Sequence, residues 1–88
     1  DNDRERLQLV QGEAQLLRDN ERYQDSADVL TAGLKRFPDN PDLLYDFAMA
    51  ADKTGNYKDM ETALRKLIEI APNNQHAYNA LGYSLADR

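Results

Sequence analysis

The sequence predicts an all-α fold of five helices that pack as antiparallel hairpins, and three observations carry this prediction. Apolar residues recur at three- and four-residue steps along most of the chain, which places them on one face of a helix. Stretches containing Pro, Gly and Asn separate these segments and leave connections of about three to five residues, which make neighbouring helices antiparallel. The pattern also repeats, because residues 7–40 align with residues 41–74 without a gap and with seven identities.

The first predicted helix covers residues 7–20 and is the least strongly specified of the five. Residues 1–6 are all polar and are expected to lie outside the helix or in its first turn. Gly12 and Glu13 interrupt the apolar stripe and weaken the helix. The residues expected to face inward are Leu9, Val10, Ala14, Leu16 and Leu17.

Residues 23–36 form the second predicted helix and residues 41–53 the third. Between them, Asn40 suits the N-cap position and Pro41 suits the first helical position, where no backbone N–H is required. The inward residues are expected to be Tyr23, Ala27, Leu30 and Leu34 in the second helix, and Leu44, Phe47, Ala48 and Ala51 in the third.

Residues 57–70 form the fourth predicted helix and residues 75–87 the fifth. Gly55 can adopt the left-handed conformation that closes the third helix, and Asn74 is expected to cap the fifth. The inward residues are expected to be Tyr57, Met60, Leu64, Leu67 and Ile68 in the fourth helix, and Tyr78, Leu81, Gly82 and Leu85 in the fifth.

A helix pair that repeats every 34 residues is the signature of one family of helical repeat proteins. The identical positions are Leu9, Ala14, Tyr23, Asp25, Leu30, Pro38 and Asn40, which match Leu43, Ala48, Tyr57, Asp59, Leu64, Pro72 and Asn74. The residues that fit the family pattern best are Leu44, Phe47, Ala48, Ala51, Gly55, Asn56, Tyr57, Leu64, Pro72, Asn73 and Asn74. On these residues the chain resembles the tetratricopeptide repeat (TPR) family, and looks like a fragment of a longer bacterial-type member.

The resemblance implies a right-handed superhelix, an α-solenoid, built as a single domain over residues 1–88. The first repeat would cover about residues 7–40, the second about 41–74, and a half repeat about 75–88. Glu13 departs from the family preference for leucine, and Met60 and Leu67 stand where alanine is preferred. These two larger residues predict a wider helix spacing within the second repeat.

Composition excludes several functional classes. The chain has 11 basic and 16 acidic residues, a net charge of −5 and no basic run, which argues against nucleic acid and anionic membranes as partners. It contains no cysteine and no apolar run long enough to insert into a membrane. His76 is the single histidine, without the neighbouring ligands of a zinc site, and no catalytic or phosphate-binding motif is present. We therefore expect a non-enzymatic protein without catalytic residues, cofactor or metal.

The resemblance implies that the first helix of each repeat lines a concave groove that binds a protein or peptide. The corresponding residues are Gln8, Gln11, Gln15, Tyr45, Asp46, Met49, Asp52, His76, Asn79 and Tyr83. Tyr45, Met49 and Tyr83 are candidate anchors, because aromatic and Met side chains are common at binding centres. Asp46 and Asp52 favour a neutral or basic segment. The basic clamp with which some family members hold a chaperone's C-terminal carboxylate is missing.

Two other interpretations stay open. The chain could be a structural spacer or self-association segment of a longer array, with homo-oligomers forming through Tyr78, Leu81 and Leu85 on the fifth helix. It could also be an accessory module attached to a catalytic domain elsewhere. The sequence leaves the compartment of this soluble chain open between the bacterial cytoplasm and the periplasm or envelope.

Overall fold

The computed structural model describes the backbone of residues 2–86 and the side chains as far as Tyr83. The five helices are α1 (Asn2–Asp19), α2 (Tyr23–Arg36), α3 (Pro41–Lys53), α4 (Tyr57–Ile70) and α5 (Gln75–Ala86). Each helix packs mainly against its neighbours in the chain, in the order α1, α2, α3, α4, α5. This arrangement confirms the predicted all-α fold of successive helix hairpins.

The predicted ends of α2, α3 and α4 agree with the structure, whereas α1 is longer than predicted. It begins at Asn2 rather than at residue 7. Asp3 lies in the first turn, where a negative charge suits the positive end of the helix dipole, and its carboxylate pairs with Arg36 at 2.7 Å. This ion pair joins the start of α1 to the end of α2. At the other end of the chain, Asp87, where the fifth helix was predicted to finish, lies outside the described residues.

Side-chain caps begin α3 and α5 as the sequence predicts. The Oδ1 atom of Asn40 accepts a hydrogen bond of 3.0 Å from the backbone N–H of Leu43, and Pro41 occupies the first turn of α3. Asn74 makes the equivalent bond of 3.1 Å with the N–H of Ala77. The two caps lie 34 residues apart in the chain. The helices α3 and α5 therefore begin by the same mechanism.

The buried apolar residues form two clusters, and α3 contributes to both. The first cluster joins α1, α2 and α3 through Ala14, Ala27, Leu30, Leu43 and Ala50. The second joins α3, α4 and α5 through Leu44, Ala48, Ala51, Met60, Ala63, Leu64, Leu67 and Ala77. Phe47 is partly buried against both clusters. The opposite faces of α3 therefore hold the two hairpins together.

Several residues predicted to face inward are exposed instead. Leu9 and Leu16 are 73% and 63% exposed, because no helix of the described chain lies against the outer side of α1. Tyr57 is the first residue of α4, so its ring lies at the end of the hairpin and remains 44% exposed. Tyr78 is 48% exposed.

Gly82 of α5 was also predicted to face inward, and this prediction is wrong. It is exposed, and a Cβ atom added there would meet no heavy atom within 4 Å. No other part of the described chain covers this face of α5, which is why the apolar pattern was misleading here. Leu85 lies outside the described side chains.

Small residues bring α1 and α2 close together, and the sequence did not predict this. A Cβ atom at Gly33 would lie 2.7 Å from Cγ1 of Val10, so any larger residue would require Val10 or one of the two helices to move. The hydroxyl of Ser26 is buried and donates a hydrogen bond of 2.9 Å to the backbone carbonyl of Ala14. The repeat equivalents of Gly33 and Ser26 are Leu67 and Met60, so the two hairpins use different residues at matching contacts.

Candidate functional site

A cavity of about 310 Å³ opens between the beginnings of α3 and α5. Its lining residues are Pro41, Asp42, Tyr45, Asp46, Asn74 and His76. Asp42, Tyr45 and Asp46 share one face of α3, because they are spaced by three and four residues. The Asn40 and Asn74 caps fix where α3 and α5 begin, and these two beginnings form the walls of the cavity.

Tyr45 and His76 contact each other across the cavity. Their ring centroids are 6.5 Å apart and the ring planes are inclined by 66°, an edge-to-face arrangement. Tyr45 is half-buried and also packs against the second core cluster, whereas His76 is exposed. The tyrosine ring is therefore held by the core and presents one side to the cavity.

Asp46 is a half-buried carboxylate of α3 that pairs with Arg18 of α1. The Nη1 atom of Arg18 lies 3.6 Å from Oδ1 of Asp46, which joins the end of α1 to the middle of α3. Burial raises the pKa of Asp46 above its ordinary value, the positive charge of Arg18 opposes this shift, and nearby Asp42 adds to it. Asp46 consequently lies where another positive group would be favourable.

The structure brings three of the ten predicted groove residues to this cavity: Tyr45, Asp46 and His76. Gln15 is hydrogen-bonded to Asp19 at 2.9 Å and to Arg18, beside the ion pair. Met49 is half-buried and, like Tyr45, packs against the second core cluster. The predicted groove residues outside the cavity and not yet described are Gln8, Asn79 and Tyr83, which are exposed, and Gln11 and Asp52, which are half-buried.

Four residues near the cavity were not among the predicted groove residues. Pro41 and Asn74 were recognised as a first-turn residue and a cap but not as cavity walls. Asp42 could have been found, because it precedes Asp46 by four residues and therefore shares its helix face. Arg18 could not, because its approach to Asp46 depends on how α1 lies beside α3.

The predicted self-association face is described only in part. Tyr78 is half-exposed and Leu81 is partly buried against the second core cluster. Leu85, the third residue of this face, lies outside the described side chains.

The described residues provide neither a metal site nor a membrane-spanning helix. They contain no group of three or more His, Cys, Asp or Glu side chains placed to hold a metal ion. None of their helices is both long enough and apolar enough to cross a membrane.

A family model described as tetratricopeptide repeat matches residues 17–82, which is most of the chain. The chain belongs to the tetratricopeptide repeat family. It is 40% identical over 82 residues to the TPR repeat-containing protein PA4667 of Pseudomonas aeruginosa. That match covers 93% of this chain but only 14% of the relative.

Tetratricopeptide repeats generally mediate protein–protein interactions and are generally scaffolds without enzymatic activity. In this tetratricopeptide chain, the helices that begin at Pro41 and Gln75 are one repeat apart and meet at the cavity. The cavity therefore lies between α3 and α5, and the carboxylates of Asp42 and Asp46 and the ring of Tyr45 line it.

Proposed function

We propose that this tetratricopeptide chain binds a neutral or basic protein segment along the face formed by α1, α3 and α5. In this proposal, the cavity beside Tyr45 receives a lysine or arginine side chain of the partner. The observation that supports it most directly is the pair formed by Asp42 and half-buried Asp46 on one wall of the cavity, next to the ring of Tyr45.

The chemistry of the cavity favours a cation. A charged donor forms stronger hydrogen bonds to a carboxylate than a neutral donor does, and an ammonium or guanidinium group is also attracted to the face of a tyrosine ring. The cavity volume of about 310 Å³ suits one long side chain rather than a folded element. Arg18 already pairs with Asp46, whereas Asp42 is exposed and forms no ion pair among the described residues. Asp42 is therefore the carboxylate expected to meet the incoming charge first.

Selection from a displayed library of short random peptides tests this proposal without a known partner. The bait is the whole chain, and the parallel baits are Asp42→Asn, Tyr45→Ala and Tyr45→Phe. Tyr45→Phe keeps the ring and is the matched control for Tyr45→Ala. Asp28→Asn is the matched control for charge, because Asp28 is exposed on α2 and outside the cavity.

We expect the parent chain and the two controls to enrich peptides that contain Lys or Arg beside neutral residues. Asp42→Asn and Tyr45→Ala should lose that enrichment while their circular dichroism spectra stay helical. Affinity of the selected peptides should fall as salt is added, because exposed charges are screened. Equal enrichment by all five baits would refute the cavity as the binding site.

Self-association is the second candidate, and the half-exposed ring of Tyr78 is the observation that favours it. In this alternative the chain is a spacer or oligomerisation segment, and copies associate through Tyr78 and Leu81. Sedimentation equilibrium of the parent and of Tyr78→Ser distinguishes the two. A parent dimer that the substitution dissociates supports self-association, whereas a monomeric parent rejects it.

A further inference from the structure

A second cavity, of about 510 Å³, opens between the first half of α1 and the end of α2. Its lining residues are Arg6, Val10, Ala32, Gly33, Lys35, Arg36 and Phe37. We call it the basic cavity, because three of these residues are cations and none is acidic. It shares no lining residue with the cavity beside Tyr45, so the two are separate sites.

The basic cavity has an apolar floor and a charged rim. Gly33 is buried and Val10 and Phe37 are partly buried, whereas Arg6 and Lys35 are exposed. Arg6 precedes Val10 by four residues and therefore lies on the same face of α1. Lys35 belongs to the last turn of α2. A ligand in this cavity would therefore bury an apolar group on the floor and meet a cation from each helix.

The three cations differ in whether they already have an anionic partner. Arg36 pairs with Asp3 at 2.7 Å, and its guanidinium carbon lies 5.8 Å from the centroid of the Phe37 ring. Arg6 and Lys35 form no ion pair within the described part of the chain. Two cations, one on each helix, are therefore open to the anions of a partner.

The helical fold does not account for these cations. Lys35 and Arg36 suit the negative end of the α2 dipole, but Arg6 lies just past the first turn of α1 and gains nothing from its dipole. One repeat later, the equivalents of Arg6, Lys35 and Arg36 are Asn40, Glu69 and Ile70. The second repeat is built without cations at these positions, so the repeat architecture does not require them.

We propose that the basic cavity binds an acidic segment of a partner protein, with one apolar side chain on the floor and an Asp or Glu on either side of it. In an extended segment, side chains two residues apart point the same way, so the pattern acidic–x–apolar–x–acidic directs all three towards the cavity. The two carboxylates meet Arg6 and Lys35 and accept charge-assisted hydrogen bonds from them. This site is independent of the function proposed for the cavity beside Tyr45.

A short acidic segment suits the charge of this chain better than a nucleic acid or an anionic membrane does. Those partners present phosphates over a wide area, and the net charge of −5 would repel them beyond the cavity. A segment with two carboxylates matches the two cations that lack an ion pair. The apolar floor adds affinity by burying one aliphatic side chain.

Fluorescence anisotropy with a labelled peptide tests this proposal. The probe contains Glu-Ser-Leu-Ser-Glu, and two control peptides replace both Glu by Gln or the Leu by Ser. The chain variants are Arg6→Gln, Lys35→Gln and the two combined. Arg4→Gln is the matched control, because Arg4 is exposed on the same helix, outside the cavity, and forms no ion pair among the described residues.

The shape of the basic cavity is tested with two leucine substitutions on α2. Ala32→Leu places a larger side chain in the cavity lining, and Thr31→Leu places the same side chain on the neighbouring exposed residue outside it. Circular dichroism spectra of all variants should stay helical.

We expect the parent and Arg4→Gln to bind the acidic peptide more tightly than either control peptide. Arg6→Gln and Lys35→Gln should each raise the Kd about three-fold and the combined variant about ten-fold, because each removes one exposed ion pair. Ala32→Leu should weaken binding and Thr31→Leu should not. Reversing both charges, in Arg6→Glu with Lys35→Glu, should abolish binding of the acidic peptide and create binding of a peptide that contains Lys-Ser-Leu-Ser-Lys.

Equal affinity of the parent and the combined Gln variant for the acidic peptide would overturn the proposal. Tighter binding of phosphatidylglycerol vesicles or single-stranded DNA than of the peptide would assign the basic cavity to a different class of partner. A parent dimer that the combined variant dissociates would assign it to a second copy of the chain. Asp42→Asn should bind the acidic peptide as the parent does, so this test stands whether or not the cavity beside Tyr45 binds a basic segment.

Discussion

Glu21 and Gly55 occupy equivalent positions one repeat apart and share a left-handed backbone, with φ angles of 61° and 79°. Glu21 lies in the turn that follows α1, and Gly55 lies in the turn that follows α3. Arg22 N–H bonds the carbonyl of Leu17, and Asn56 N–H bonds the carbonyl of Ala51, each at 2.8 Å. These bonds close the ends of α1 and α3 in the same way. The turn geometry is thus conserved within the chain although only one copy has the glycine that favours it.

Replacing Glu21 with glycine should stabilise the chain. The left-handed conformation costs a residue with a Cβ atom about 1–2 kcal/mol, and the greater freedom of glycine in the unfolded chain offsets part of the gain. We expect Glu21→Gly to raise the free energy of unfolding by about 0.5 kcal/mol and Gly55→Ala to lower it by about 1 kcal/mol. Urea denaturation followed by circular dichroism measures both changes. A loss of stability in Glu21→Gly would show that its side chain contributes more than its backbone costs.

Gly33→Ala should destabilise the contact between α1 and α2. The added Cβ atom would lie 2.7 Å from Cγ1 of Val10, so one helix must shift or the valine must change its rotamer. Overpacking of this kind costs about 1–3 kcal/mol. Gly12→Ala is the matched control, because no heavy atom lies within 4 Å of its added Cβ atom and alanine is the better helix former. Thermal melts should place the two variants on opposite sides of the parent.

Gly82→Leu gives a related expectation on α5. An inward glycine at this position would make leucine too large, but Gly82 is exposed and open space surrounds its added Cβ atom. We therefore expect Gly82→Leu to melt at or above the parent temperature, since leucine has the higher helix propensity. Ala48→Leu, at a fully buried position of the second cluster, is the comparison that should lower the melting temperature.

Removing the hydroxyl of Ser26 should loosen the first hairpin. Ser26 donates a buried hydrogen bond of 2.9 Å to the carbonyl of Ala14, which ties α2 to α1. Ser26→Ala should cost about 1 kcal/mol of unfolding free energy. The control is Thr31→Ala, which removes a hydroxyl bonded only to the carbonyl of Ala27 in its own helix. Equal effects of the two substitutions would mean that the bond between the helices adds no stability.

The pH dependence of stability should reveal the burial of Asp46. In the folded chain its pKa lies above the ordinary value of 3.8, so the folded chain keeps a proton that the unfolded chain releases as the pH rises past 3.8. The contribution of this carboxyl to stability is therefore greatest below 3.8 and declines as the pH rises through the raised pKa. Asp46→Asn lacks this titrating carboxyl. The unfolding free energy of the parent should therefore fall relative to that of Asp46→Asn as the pH rises over this range.

Urea titrations at a series of acidic and neutral pH values measure this difference. Asp28→Asn, on the exposed face of α2, controls for the general effect of removing a carboxylate. A difference between Asp46→Asn and the parent that stays constant with pH would contradict the desolvation of Asp46.

The sequence predicted most of the fold because its local signals are strong. The Asn40 cap, Pro41 and Gly55 mark helix ends by chemistry that acts within a few residues, so the bounds of three helices could be predicted. Leu9 and Leu16 were assigned wrongly because periodicity identifies an apolar face but not whether a neighbour covers it. Gly33 and Ser26 were missed because close approach of two helices leaves no periodic signal.

The candidate site was predictable only as a helix face. The family resemblance predicted Tyr45, Asp46 and His76, because it implies which side of α3 and α5 lines a groove, and all three line the cavity. The ion pair between Arg18 and Asp46 and the ring contact between Tyr45 and His76 depend on the relative placement of three helices. No spacing within the sequence encodes that placement.

Membership of α3 in both core clusters has a consequence for how the chain unfolds. Arrays of this kind are stabilised by interfaces between neighbouring units, so an interior helix couples the units on either side of it. Loss of α3 would remove contacts of Ala27 and Leu30 in the first cluster and of Met60 and Leu64 in the second. The helices on either side of α3 would then not stay folded. Opening should instead begin at the terminal helices and proceed towards the middle. The slowest-exchanging amides of the molecule should therefore belong to α3, which makes it the last element to melt.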